Sequence, residues 1–280
     1  MIQLELELLT NNIVIPFQRF HKKFNFDFVE FHKLFATQSI GEHGLGFLIN
    51  IFEQKEASGS EGRTYLKKLV FDTGGQNSTF IHNMSVRGYQ LYDIDEIVLS
   101  HWHYDHNGGL YDILERIEQN IPLYTHKAAK YERFFRRSPD VTPADLDHKH
   151  REEIVPLLNQ MKIVNQEPID LEKISRLNGE VKFTKRETNL VEKDNFKVFC
   201  AGEIPREYSD EDFSDYFAIK NGNILEVDKI LDDRCLIFEF DERIIVLNGC
   251  CHSGLKNTID YVHSISKKPI SHIIGGFHMA

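Results

Sequence analysis

The sequence predicts an α/β protein with mixed β-sheets flanked by helices, and three observations predict it. Short apolar runs of strand length alternate along the whole chain with helix-patterned stretches, which is the layered α/β signature. Of the 280 residues, 41% are hydrophobic and 27% charged, a globular balance with enough chain to bury a substantial core. No apolar run approaches the ~20 residues needed to span a bilayer.

The start, MIQLELELL, alternates apolar with polar residues and reads as a first strand rather than a secretion signal. Residues 44–52 (GLGFLINIF) and 67–74 (KKLVFDTG) are two more, joined by the polar, Gly-rich EQKEASGSEGRT as a hairpin with a flexible tip. Residues 77–91 read as a helix. The strand IVLS at 97–100 then runs into HWHYDH, the pair Gly108-Gly109 and another helix. IPLYT at 121–125 is a short strand. Residues 127–160, charged and carrying Arg133, Arg136 and Arg137, read as helical or loop-like; a helical insertion or lid is expected over 127–196 of a single domain spanning 1–280. The last third returns to strands (VKFTK, KVFCAG, CLIFEF, RIIVLNGCC), a helix (LKNTIDYVHSIS) and a final strand (SHIIGGFH).

The four cysteines, Cys200, Cys235, Cys250 and Cys251, show neither CxxC spacing nor a disulfide framework, so a reducing cytoplasm is the expected location. A formal net charge of −10 disfavours loose binding along nucleic acid, which depends on basic residues displacing counterions. It leaves room for a locally basic pocket. A homodimer is expected only because dimers are the commonest oligomers.

His101, His103, Asp105 and His106 fall within six consecutive residues between an apolar strand and Gly-Gly. In an extended or turning backbone, 101 and 103 project to the same side, so two imidazoles can grip one ion while Asp105 and His106 face a second. Clustered imidazoles repel when protonated and gain little from burial unless a metal organises them. Asp72, at a strand end before Thr-Gly-Gly, suits an aspartate that orients a ligand histidine, and equally a turn aspartate. Arg206 suits a phosphate or carboxylate group of the substrate; a surface arginine is the alternative.

The segment at 101–106 resembles the HxHxDH signature of the metallo-β-lactamase superfamily, and the likeness extends further. Glu42-His43-Gly44-Leu45, FDTG at 71–74, SHWHYDHNGGL at 100–110, GEIPRE at 202–207, DDRCLIFE at 232–239, NGCCHSGLKNT at 248–258 and IGGFH at 274–278 stand in the expected order. Together they resemble the branch that includes archaeal dihydropterin–ribofuranosylaminobenzene 5'-phosphate synthases, over roughly residues 40–280.

The resemblance implies a metallo-β-lactamase αββα sandwich holding two divalent metal ions, zinc first, with iron or manganese as alternatives. His101 and His103 would bind one ion, Asp105 and His106 the other, and His252 and His278 would be further ligands. Asp105 would also hold the attacking water. Where relatives place a bridging aspartate, this chain has Cys250 and Cys251, so one of these or Glu203 is expected to substitute. The chain also ends before a further helix and histidine strand that relatives carry, so His278 is expected to complete the second site or leave it under-coordinated. The implied function is a hydrolase acting on a small, anionic ester, lactam, thioester or phosphoester. The alternatives are a pterin-handling transferase of the synthase branch, a nuclease, and a degenerate binding module.

Overall fold

The apolar runs of the sequence become strands wherever both faces can be covered. The computed structural model describes residues 2–12, 39–57 and 60–278. The chain divides into two compact units: Met1–Leu99 with Tyr104–Leu123 and Arg176–Glu180, and Ser100–His103 with Tyr124–Ser175 and Val181–Ala280.

In the first unit, β1 (Ile2–Thr10) pairs antiparallel with β2 (Gly46–Ala57), which pairs antiparallel with β3 (Ser60–Phe71). The ladder between β2 and β3 continues to Ala57 opposite Ser60, so the polar linker is mostly strand. The tip expected to be flexible, residues 58–59, lies outside the described residues. β3 then pairs parallel with β4 (Glu96–Val98), a register that requires a crossover. Helix α1 (Thr79–Val86) supplies it, burying Phe80 and Met84. Backbone bonds from Gly88 to Ser85 (2.9 Å) and Tyr89 to Met84 (3.0 Å) close the helix in a Schellman pair, which is why it is shorter than the apolar pattern suggests. The sheet continues through β5 (Ile121–Thr125) to β8 (Gly179–Phe183). Two short helices, α2 (Tyr104–Asn107) and α3 (Leu110–Leu114), follow β4 in sequence.

The second unit carries two sheets. One is antiparallel, with β12 (Leu225–Val227), β11 (Tyr216–Ile219), β6 (Glu132–Arg136) and β7 (Ile163–Gln166) in that order. The other runs β15 (Ile270–Gly275), β14 (Ile244–Asn248), β13 (Cys235–Glu239), β10 (Phe196–Cys200) and β9 (Thr188–Lys193). Only β14 and β15 are parallel in it, and the amphipathic helix after β14, Leu255–Ile265, provides their connection. Ile237, Ile244, Val246 and helix residue Val262 form its core with Phe199 and Ile204. Each such fully buried aliphatic contributes about 1.5–3 kcal/mol.

Residues 132–136 correct the helical or loop-like reading of 127–160. They form β6, because Glu-Arg-Phe-Phe-Arg finds partners on both sides, Phe134 opposite Phe217 and Arg136 opposite Ile163. Phe134 enters a core with Val141, Leu146, Ile154, Ile163 and Leu225. Short helices do occur nearby, α4 (Val155–Asn159) and α5 (Leu171–Arg176); Leu255–Ile265 is therefore α6. Among the described residues no helix is long and apolar enough to cross a membrane.

Candidate metal centre

In the second unit, His101 and His103 bring their rings together, while the Trp102 indole N–H donates to the Glu167 carbonyl (3.0 Å). His252 arrives from the turn between β14 and α6, where Cys251 sits at φ 59. The three imidazoles are 1%, 5% and 2% exposed. Their ring centroids lie 4.4 Å (His101 to His103) and 4.9 Å (each to His252) apart, and one donor atom from each lies within 4.8 Å of the others. That spacing is a small ring adjustment from the roughly 3.4 Å between two imidazole nitrogens on a tetrahedral zinc. Three imidazolium charges packed this closely would repel one another. The donor set therefore fits a divalent cation, and Ser100 Oγ, 2.8 Å from His101 Nδ1, orients one ring from behind as metal-bound histidines require.

What holds these rings is a buried ionic clamp that the sequence did not disclose. Asp232 accepts from the Trp102 backbone N–H (2.8 Å), and Arg133 donates to the Trp102 carbonyl (2.9 Å). The same Arg133 pairs with Asp232 (2.6 Å) and Asp228 (2.9 Å). Asp233 accepts from the Ser253 backbone N–H (2.8 Å) and hydroxyl (2.7 Å), directly after His252. The two consecutive aspartates thus fix the peptides that follow His101 and His252, and Arg133 the one that precedes His103. Their protonation tendencies diverge. Burial raises the Asp232 carboxyl, but the Arg133 charge and hydrogen bonds outweigh it and the net shift is downward; Asp233, buried without such a partner, is shifted up.

Arg206 corrects the expectation of a substrate-binding guanidinium. It donates to the carbonyls of His252 (2.6 Å), Lys229 (3.0 Å) and Ile230 (2.8 Å) and lies over the Phe213 ring. It ties down the His252 turn, and burial lowers its pKa. Glu203, considered as a bridging ligand, instead bonds His126 (2.9 Å) and Lys185 (3.0 Å). His126 Nδ1 accepts from the Ala128 N–H, so its proton lies on Nε2 toward Glu203. Cys251 is buried against Thr258, and burial pushes its thiol up to about 12. Cys250 is half-buried, and its Sγ lies 3.5 Å from His278 Nδ1. Tyr216, unremarked in the sequence, stacks on His103 at 5.6 Å and 9°, while Phe135 meets that ring edge-on.

The first unit holds the other half of the histidine segment. Asp72, fully buried at the end of β3 with φ 58, lies 2.7 Å from His106 Nδ1. A carboxylate only accepts, so Nδ1 carries the proton and the Nε2 lone pair is presented. Asp105 Oδ2 lies 3.6 Å from that Nε2 and 3.4 Å from His43 Nε2. The backbone is laced to the FDTG turn: Thr73 N–H donates to the His106 carbonyl (2.7 Å) and Gly108 N–H to that of Gly74 (2.8 Å). A Cβ on Gly109 would stand 2.5 Å from the Thr73 carbonyl oxygen, so this approach admits only glycine.

Residues 66–198 match the family model of the metallo-beta-lactamase superfamily. The chain is 27% identical over 239 residues to the 7,8-dihydropterin-6-methyl-4-(beta-D-ribofuranosyl)-aminobenzene-5'-phosphate synthase of Methanocaldococcus jannaschii, covering 85% of this chain and 71% of that protein. An uncharacterised protein of the same organism is 29% identical over 213 residues, 76% of this chain and 68% of its own. The crystal structure of a metal-dependent hydrolase of the beta-lactamase superfamily superposes with a TM-score of 0.62 at 18% identity, over 99% of this chain and 77% of that one. At that identity the likeness is one of fold.

Proposed function

We propose that this chain, whose residues 66–198 match the metallo-beta-lactamase superfamily model, is a metal-dependent hydrolase of a small ester, lactam or phosphoester. The observation that carries the reading is the convergence of His101, His103 and His252, nearly fully buried, with donor atoms within 4.8 Å of one another. These three would hold one divalent cation, with Asp105 and His106 as the ligand set for a second. Held there, a divalent cation would supply polarisation of a carbonyl or phosphoryl oxygen and acidification of a bound water.

The chain's own residues do the rest. Asp105, a carboxylate 15% exposed, accepts a proton from the attacking water and keeps that water oriented. Asp72 holds the proton of His106 on Nδ1, so Nε2 stays available as a donor of electrons. Tyr216 and Phe135 cover His103 with aromatic surface, limiting water and offering an apolar wall to the substrate. The guanidinium of Arg206 is engaged with carbonyls, so an anionic group would be recognised elsewhere.

A second reading is favoured by the 27% identity to the pterin synthase: a transferase in which pyrophosphate leaves a pterin as an arylamine adds. One assay separates the two. Purified protein loaded with zinc, manganese or iron is given an aryl ester, a β-lactam and an aryl phosphodiester. Turnover abolished by chelator and restored by the ion is the expected result. Consumption of a pterin pyrophosphate only when ribofuranosylaminobenzene phosphate is present, with none of the three substrates turned over, would replace the hydrolase by the transferase.

A further inference from the structure

We propose that His126, outside the ligand set, is a positioning residue of the metal centre: it joins the two braces that hold His101, His103 and His252 in place, and so sets how tightly those three imidazoles hold a cation. The proposal rests on the metal-dependent reading above and adds to it a residue that the histidine pattern of the sequence did not single out.

The first brace is a run of three charged residues, each holding a different part of the chain. Asp232 accepts from the Trp102 N–H between His101 and His103 (2.8 Å), and Asp233 from the Ser253 N–H after His252 (2.8 Å). Arg234 donates to Thr184 Oγ1 (2.6 Å). The second brace is the segment 201–206. Its Arg206 donates to the His252 carbonyl (2.6 Å). Its Gly202 N–H donates to Tyr261 Oη on α6 (2.7 Å), and its Ala201 N–H to the Cys235 carbonyl (2.8 Å).

His126 stands where the two meet. It directly follows β5, whose Thr125 carbonyl accepts from the Thr184 N–H (2.9 Å); the Lys185 carbonyl then accepts from the Glu203 N–H (2.9 Å). A Cβ on Gly202 would stand 2.8 Å from that Lys185 oxygen, so the second brace lies flush against the turn after β8. The His126 ring, 6% exposed, donates from Nε2 to Glu203 Oε1 (2.9 Å) and accepts at Nδ1 from the Ala128 N–H (3.2 Å). It also lies within electrostatic reach of Asp232 and Arg234 in the first brace. Lys185 meets the other oxygen of Glu203 at 3.0 Å, but its side chain is 72% exposed. Solvent screens that pair, so the buried contact with His126 is the one that fixes the Glu203 carboxylate.

Without the His126 donor, Glu203 keeps only the exposed lysine and the segment 201–206 loosens, and with it the hold of Arg206 on the His252 carbonyl. His101 and His103 keep the clamp on Trp102, so the triangle of donors opens on the His252 side. The loss falls on the metal-bound state, whose three donors must stay at tetrahedral spacing; the metal-free chain makes no such demand.

The experiment titrates the intact, metal-free chain with zinc against a chromogenic chelator, with the emission of Trp102, the single tryptophan, followed in parallel. His126→Leu is expected to weaken zinc binding by at least about tenfold, the lower end of the loss on removing an outer partner of a ligand. Glu203→Ala cuts the same link from its more exposed end and is expected to show the same loss, which keeps the test open if the leucine variant fails to fold. The double variant is expected to bind no more weakly than the weaker single one, because both remove one link. His126→Gln, whose amide N–H still reaches Glu203, is expected to recover most of the affinity. Zinc bound by the parent and equally tightly by His126→Leu and Glu203→Ala would overturn the proposal and leave the metal-dependent reading standing. So would equal losses in His126→Leu and His126→Gln, which would reduce His126 to filling space. A parent chain that binds no zinc would overturn both.

Discussion

An Arg133→Met chain is expected to melt about 10 °C below the parent. Arg133 is 1% exposed and neutralises two buried carboxylates, Asp232 and Asp228. Removing one partner of a buried ion pair costs about 3–5 kcal/mol because the other charge stays desolvated and uncompensated. For a chain of this size each kcal/mol shifts the melting temperature by about 2–4 °C. Lysine should recover only part of the loss, since an ammonium cannot reach both aspartates and the Trp102 carbonyl as the planar guanidinium does. The pH dependence has a defined sign. Arg133 holds the Asp232 pKa below its ordinary value in the folded state, so its stabilisation is complete above the usual carboxylate range and is lost as pH falls through the lowered value. Thermal melts of parent and variant between neutral pH and pH 3 measure this. A difference between them that stays constant on acidification would show that Asp232 is not the partner that matters.

Asp72→Ala is expected to lower metal affinity or turnover by about 10–100-fold, the usual consequence of removing the hydrogen-bond partner of a ligand histidine. The contact is short, 2.7 Å to His106 Nδ1, and both side chains are buried. Without it the His106 ring can rotate and either nitrogen can carry the proton. Asp72→Asn separates charge from orientation, because an amide oxygen still accepts from Nδ1–H while contributing no negative charge. Partial rescue by asparagine is the expected result; metal affinity and turnover unchanged in both variants would remove Asp72 from the site.

The fold was legible where burial alone decides structure. The runs CLIFE and IIVLN are apolar but for their last residues, Glu239 and Asn248, and became strands buried almost end to end, and IPLYT became β5 with the alternation its sequence carries. Residues 132–136 were not legible, because the partners that make them a strand lie about 30 residues away at Ile163 and 80 away at Phe217. Nothing local separates such an arginine-bearing stretch from a solvated helix face. The histidines at 101, 103 and 106 were legible from spacing, and the structure gathers His101 and His103 with His252. Arg206 was misread because a guanidinium before a turn looks the same whether it meets a ligand or three carbonyls. Asp232 and Asp233 stood inside a segment noted for its resemblance, yet their chemistry depends on Trp102 and Ser253, which only folding brings to them.

The measurement that tests the account most directly is the metal content of freshly purified protein by elemental analysis, beside a His103→Ala chain prepared in the same way. About two ions per chain, one for His101, His103 and His252 and one for Asp105 and His106, with a sharp fall in the variant, is the predicted result. No bound metal in either protein, even after reconstitution with zinc, iron or manganese, would contradict it and leave a metallo-β-lactamase fold that serves as a binding module.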